Sequence, residues 1–174
     1  MAVIGIFGSG KVLADSRIYK EAESLGKLLA EKNFDLVTGA YYGVMEAALK
    51  GASGSEVLRI GVATNYFSDK KPNKYINSLI ITGTYDERLR KLIEISDAYI
   101  IFQGGTGTLL EFSYILAMKE RNIIKNKLLI CFGDVWKSIA ELMGYEIENG
   151  TIKSLQVEFV DSAEDVMRLI DKYF

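Results

Sequence analysis

The feature that most limits what this chain can become is its rhythm. Short, unbroken apolar runs alternate with longer stretches whose apolar residues recur at helical spacing. Val3–Phe7, Phe34–Thr38, Val57–Ala63, Leu79–Thr82, Ala98–Phe102, Lys127–Phe132 and Val157–Val160 read as strands. Between them, the segment after Asp15-Ser16 carries Ile18, Ala22, Leu25, Leu28 and Leu29 on one helical face. Val44–Gly51, Tyr85–Ser96, Leu109–Glu120, a stretch from about Val135, and Ala163–Tyr173 read as further helices. Strands without a polar face belong to a parallel sheet covered on both sides. The expectation is an α/β fold: a Rossmann-like, doubly wound, mostly parallel sheet of about seven strands with helices on both faces. No linker or repeat divides the chain, so residues 1–174 read as a single domain. Only Thr64–Asn77, with Asp69, Lys70, Lys71, Pro72 and Asn73, breaks the rhythm as a long polar loop.

Composition closes several chemistries. There is no histidine, which excludes Ser-His-Asp and Cys-His catalysis, a histidine base and histidine-bearing zinc sites. One cysteine, Cys131, excludes an intrachain disulfide and a Cys-rich metal site. What remains is carboxylates, Arg/Lys, hydroxyls and backbone amides. A net charge of −2 argues against a nucleic-acid-coating role. Met1–Gly8 lacks the basic start and cleavage pattern of a targeting signal. The longest apolar run, Leu128–Phe132, is far short of the ~18 residues a membrane span needs. The expectation is a soluble cytoplasmic protein with no membrane association.

Three glycine-bearing turns follow predicted strands: Gly8–Gly10, Gly39–Gly43 and Gly104–Gly107. In a doubly wound sheet these ends share one edge, and the convergence suggests backbone approaching an anionic ligand. The first turn imitates two nucleotide motifs and satisfies neither. Gly5 to Val12 has the spacing of a phosphate loop, but Val12 stands where a magnesium-binding hydroxyl is needed. The dinucleotide fingerprint lacks its third glycine, which is Leu13, and Val37-Thr38-Gly39 offers no acid for a ribose. Gly8 and Ser9 remain candidate ligand neighbours, as do Gly39, Tyr42 and Gly43 of the second turn. The third turn is the informative one. Gly104, Gly105, Thr106, Gly107 and Thr108 join a buried strand to a helix, so amides, hydroxyls and the helix dipole can cradle a phosphate. Glu111, about one turn into that helix, can act as a dipole-complementing acid or as a reactive carboxylate. Arg88, on the preceding helix, can reach the same crevice. Together they suit a phosphorylated sugar.

These residues resemble a known family. Gly104 to Glu111 is similar to the PGGxGTxxE signature of the LOG ("lonely guy") family, nucleoside 5′-monophosphate phosphoribohydrolases formerly described as lysine decarboxylase-like. Arg88 through Ser96-Asp97-Ala98 resembles that family's approach to the loop, and Val37 to Ala47 its TGGYGGxMEA turn. The resemblance runs from about residue 3 to 136. It implies a Rossmann-like protein, a homodimer or higher homo-oligomer, that splits a nucleotide into base and ribose 5-phosphate. It assigns catalysis to Arg88 and Glu111 and the 5′-phosphate to Gly104–Thr108, with no metal or cofactor required. Three departures stand out: Gln103 replaces the motif proline, and Ala40 and Tyr42 replace glycines. If Tyr42 needs a positive φ it is strained; otherwise it walls off or stacks on a base. The glycine turns also resemble those of molybdenum-cofactor carrier proteins, which implies a non-catalytic binder as the alternative. A DNA-associated role, as in DNA-processing protein A relatives, finds only Lys70, Lys71 and Lys74, and a solvated loop explains these better.

Overall fold

The structure is a computed structural model, and it describes residues 1–67, 69–124 and 126–174. The strands are β1 (Val3–Phe7), β2 (Asp35–Thr38), β3 (Arg59–Thr64), β4 (Ser78–Thr82), β5 (Ala98–Ile101), β6 (Leu129–Phe132), β7 (Thr151–Ile152) and β8 (Val157–Val160). The helices are α1 (Arg17–Glu31), α2 (Val44–Gly51), α3 (Tyr85–Ile95), α4 (Thr106–Glu120), α5 (Asp134–Leu142) and α6 (Ala163–Tyr173). They build one sheet in the order β4-β3-β2-β1-β5-β6-β8-β7. The chain winds outward from β1 through β2 and β3 to β4. It then returns to place β5 on the other side of β1 and winds outward again. The order therefore reverses between β1 and β5, which is where such sheets open a crevice at their carboxyl edge.

Both faces of the sheet are buried. One core joins Leu25 and Leu29 of α1, Ala47 and Leu49 of α2 and Val166 and Ile170 of α6 to Ile4, Ile6 and Ile130. The other joins Leu89 and Leu92 of α3, Phe112 and Ile115 of α4 and Trp136 of α5 to Phe7, Tyr99 and Ile101. Alternate side chains of the central strands thus feed opposite cores, which explains why their sequences show no polar face. Local signals fix the helix starts. The Ser16 hydroxyl accepts from the Tyr19 N–H at 3.3 Å to cap α1. Thr84 and Glu87 form a reciprocal capping box on α3.

Three details differ from the sequence reading. An eighth strand, β7, pairs antiparallel with β8 through only two residues, too few to leave a periodic signal. β4 is an edge strand whose Leu79 and Ile81 are exposed, so the expectation of a fully covered run fails there. Helix α4 starts at Thr106 rather than Leu109, because Thr106-Gly107-Thr108 is already helical, with Gly105 as its extended N-cap. Among the described residues no helix is long and apolar enough to cross a membrane.

Candidate active site

The carboxyl ends of β1, β2 and β5 meet at the reversal of strand order, and their turns are tied together by backbone. The Ser9 N–H donates to the Gln103 carbonyl at 3.2 Å, and the Val44 N–H donates to the Ser9 carbonyl at 3.0 Å. Ser9 is thus the hub of all three turns, and its hydroxyl also accepts from the Lys11 N–H at 3.1 Å. The approach is too close for side chains at Gly8, Gly39, Gly43 and Gly104. A Cβ on Gly104 would stand 2.1 Å from Thr108 Oγ1, and one on Gly43, at φ +64°, would stand 2.2 Å from the Ser9 carbonyl oxygen.

These turns border a cavity of about 520 Å³. Gly8, Ser9, Gly39, Tyr42, Arg88, Gly105, Thr106, Gly107, Thr108 and Glu111 all line it. Gly43 and Gly104 do not; their place is in the packing between turns. Gly105 caps α4 with no side-chain hydrogen bond. The helix geometry therefore leaves the first-turn N–H groups of Thr106, Gly107 and Thr108 without intrahelical acceptors, aimed off the helix end. A Cβ on Gly105 would meet nothing within 4 Å, so the space before the cradle is open.

Arg88 enters from the second turn of α3 and is 5% exposed. Its Nε donates to the Val62 carbonyl at 2.9 Å and its Nη2 to the Gly39 carbonyl at 2.8 Å. The guanidinium lies 5.5 Å from the Tyr41 ring centroid and 5.9 Å from that of Tyr85. Gly39 must be glycine for this arrangement, since a Cβ there would lie 1.8 Å from Arg88 Nη2. Glu111 is buried on α4 and makes no hydrogen bond or ion pair with the described residues. Burial pushes its carboxyl up to about 7, and the nearby Arg88 charge only partly offsets that. Glu111 is the sixth residue of α4, beyond the first turn, so complementing the helix dipole does not account for its position.

The second turn holds the main surprises. Tyr42 has no positive φ; Ala40 does, at +74°. The strain expected for the bulky side chain thus falls on the small buried one, while Tyr42 stands 46% exposed at the cavity rim. Asn73 holds the strained residue from the long polar segment. Its N–H donates to the Ala40 carbonyl at 2.9 Å, and its Nδ2 donates to the carbonyls of Ala40 and Tyr41 at 3.1 and 2.8 Å. Its Oδ1 accepts from the Tyr75 N–H at 3.1 Å. Tyr41, Phe67, Lys70 and Tyr85 line the cavity as well and are missing from the sequence reading, as are Lys11 and Met45. The one available signal was the irregularity of Thr64–Asn77. Lys70 is exposed, as expected of a solvated loop, and its ammonium also lies over the rings of Phe67 and Tyr41.

With this geometry in place, comparison with known proteins is informative. The model of the SLOG cluster4 family matches residues 1–160. The chain belongs to the SLOG cluster4 family. A relative from Escherichia coli K12, the pyrimidine/purine nucleotide 5′-monophosphate nucleosidase, is 26% identical over 175 residues, covering 88% of this chain. The chain spans only 37% of that enzyme's length. A protein of Archaeoglobus fulgidus is 34% identical over 119 residues, 67% of this chain and 74% of its own. Among solved structures, the molybdenum cofactor binding protein of Rippkaea orientalis superposes with a TM-score of 0.76 at 28% identity, over 98% of this chain and 96% of that one. The chain is thus similar in sequence to a nucleotide 5′-monophosphate nucleosidase and in structure to a molybdenum cofactor binding protein.

Proposed function

We propose that the protein hydrolyses the N-glycosidic bond of a nucleoside 5′-monophosphate, giving free base and ribose 5-phosphate. The observation that carries this reading is Glu111: a buried carboxyl without a hydrogen-bonding partner among the described residues, in the same cavity as an open phosphate cradle. Phosphate on Gly105–Thr108 anchors the ribose, and that remote binding positions the glycosidic carbon. As the bond breaks, its electron pair leaves with the base and positive charge builds on the ribose. Ionised Glu111 stabilises that charge and takes a proton from the attacking water, whose oxygen bonds to the sugar carbon. The proton is passed on to the departing base. Arg88, with two N–H groups committed to carbonyls, has others left for phosphate or ribose oxygens. A carboxyl near 7 suits a base at neutral pH, since ionised and protonated forms are both accessible. The family likeness to an Escherichia coli nucleotide nucleosidase supports the same reading. The active form is a homodimer, as in the LOG family, to be checked by light scattering.

The test is release of base and ribose 5-phosphate from AMP, GMP, IMP, UMP and CMP between pH 5 and 9. We expect turnover to rise with pH through about 7 as Glu111 ionises, and Glu111→Gln to lower it by roughly 10²–10⁴-fold. No release at any pH, or an unaffected variant, overturns the reading. The likeness to a molybdenum cofactor binding protein supports one alternative, a carrier that binds its ligand unchanged. In that case a ligand copurifies intact, and Glu111→Gln alters neither its retention nor its chemistry.

A further inference from the structure

Lys11 and Lys70 are cavity residues whose charges the reaction above does not use. Lys70 is the one on the aromatic side. It lines the cavity, and its ammonium sits 4.9 Å from the Phe67 ring centroid and 5.8 Å from that of Tyr41. Its backbone N–H donates to the Phe67 carbonyl at 3.0 Å, while the ammonium makes no hydrogen bond or ion pair with the described residues. It is carried by the segment that follows β3, and β2 and β1 separate β3 from β5 in the sheet. Three strand spacings, roughly 14 Å, therefore lie between the Lys70 wall and the phosphate cradle. Lys11, by contrast, stands on the β1 turn that is hydrogen-bonded to the cradle turn. A nucleotide anchored at Gly105–Thr108, with its ribose at Glu111, therefore sends its base toward Tyr41, Phe67 and Lys70.

That wall offers flat rings for stacking and few free polar groups. The Tyr41 hydroxyl is held between the Thr64 N–H at 3.3 Å and the Thr64 carbonyl at 3.4 Å. Asn73 is engaged through both ends of its amide. The Tyr85 hydroxyl lies toward Gly107, on the cradle side. With the remaining Arg88 N–H groups assigned above to phosphate or ribose oxygens, the polar head left over at the ring wall among the described residues is the Lys70 ammonium, which donates hydrogen bonds and cannot accept them. A carbonyl oxygen on the base edge away from the sugar can receive such a bond, whereas an exocyclic amino group there cannot.

We propose that Lys70 reads the distal edge of the base and selects nucleotides that present a carbonyl there, the 6-oxopurines and uracil, over adenine and cytosine. The same contact aids departure of these bases. The electron pair of the breaking bond delocalises onto the exocyclic carbonyl oxygen of the base, beside the ammonium, so the contact strengthens as the bond opens. This catalytic half rests on the hydrolase reading; the binding half does not.

Two measurements separate them. In the Glu111→Gln protein, which holds ligand without turning it over, calorimetry should give GMP binding about tenfold or more tighter than AMP. Adding Lys70→Gln, whose amide both donates and accepts, should bring the ratio close to one. With otherwise unaltered protein, kcat/KM should favour GMP and UMP over AMP and CMP, and Lys70→Gln should erase that preference mainly through kcat for GMP and UMP. Lys70 is exposed, so the substitution leaves the fold intact, and an unchanged melting curve checks this. Equal binding of GMP and AMP, or a preference that survives Lys70→Gln, overturns the proposal. A Lys70-dependent GMP preference without cleavage of any nucleotide supports base reading and overturns only the hydrolase. Cleavage of AMP and CMP as fast as GMP and UMP overturns base reading alone.

Discussion

The two walls of the cavity are made in different ways. The β5–α4 wall is local: a strand ends, glycines and threonines follow, and the first turn of a helix presents its amides. Its neighbours in space are largely its neighbours in sequence. The facing wall is assembled from afar. Asn73 holds Ala40 across 33 residues, and Arg88 reaches Gly39 across 49 and Val62 across 26. One wall costs little to form because helix geometry alone exposes its donors. The other contains a left-handed alanine and a buried guanidinium, and persists because several long-range hydrogen bonds determine it.

The comparison can be broken or sharpened by substitution. The largest expected effect on stability is at Glu111, where the local wall carries a buried acid. Its carboxyl titrates near 7 when folded against 4.5 ordinarily, so between these values the unfolded chain releases a proton that the folded protein keeps. Rising pH therefore favours unfolding over that window, and the stability present below 4.5 is lost by about 7. Glu111→Gln has no such loss. Urea titrations should find the two proteins similar near pH 4.5 and the variant more stable at pH 8, by up to about 3 kcal/mol. An equal gap at both pH values would refute the buried-acid account.

The next effect is in the assembled wall. Asn73→Ala strips the Tyr41 carbonyl and Tyr75 N–H of their partners and should cost about 1–3 kcal/mol, read from the denaturation midpoint. It should also lower turnover through displacement of Tyr41 and Arg88, with the change in kcat larger than that in KM. Smaller and opposite in sign, Ala40→Gly relieves the Cβ penalty at φ +74° and should stabilise the fold by up to about 1 kcal/mol. If it destabilises, the turn is not strained. Smallest for stability is Gly105→Ala, expected within about 0.5 kcal/mol because its Cβ meets nothing within 4 Å. Inorganic phosphate should nonetheless bind it at least several-fold more weakly, since the methyl enters the space before the cradle.

How legible each wall was in the sequence follows from this difference. The Gly105–Thr108 turn, Arg88 and Glu111 could all be picked out because each belongs to a contiguous pattern, and the structure brings them to one cavity. The roles of Gly43 and Gly104 could not be separated from those of their neighbours. Glycine can mark either open space or close packing, and only the positions of the Ser9 carbonyl and the Thr108 hydroxyl tell which. Tyr41 and Phe67 were silent because isolated aromatics in irregular segments carry no periodicity. β7 was silent because two residues make no pattern.

The sequence by itself determined the layered α/β architecture, since unbroken apolar runs between amphipathic helices can be buried only in a sheet covered on both faces. It also determined that any chemistry here runs without imidazole. Tertiary structure alone decided where strain is stored, which glycines face open space, and that the exposed Lys70 stands over the cavity's rings. The physical reason is range. Burial pattern and helix-end geometry are properties of consecutive residues, whereas a left-handed alanine held by a distant asparagine exists only after the sheet has brought them together.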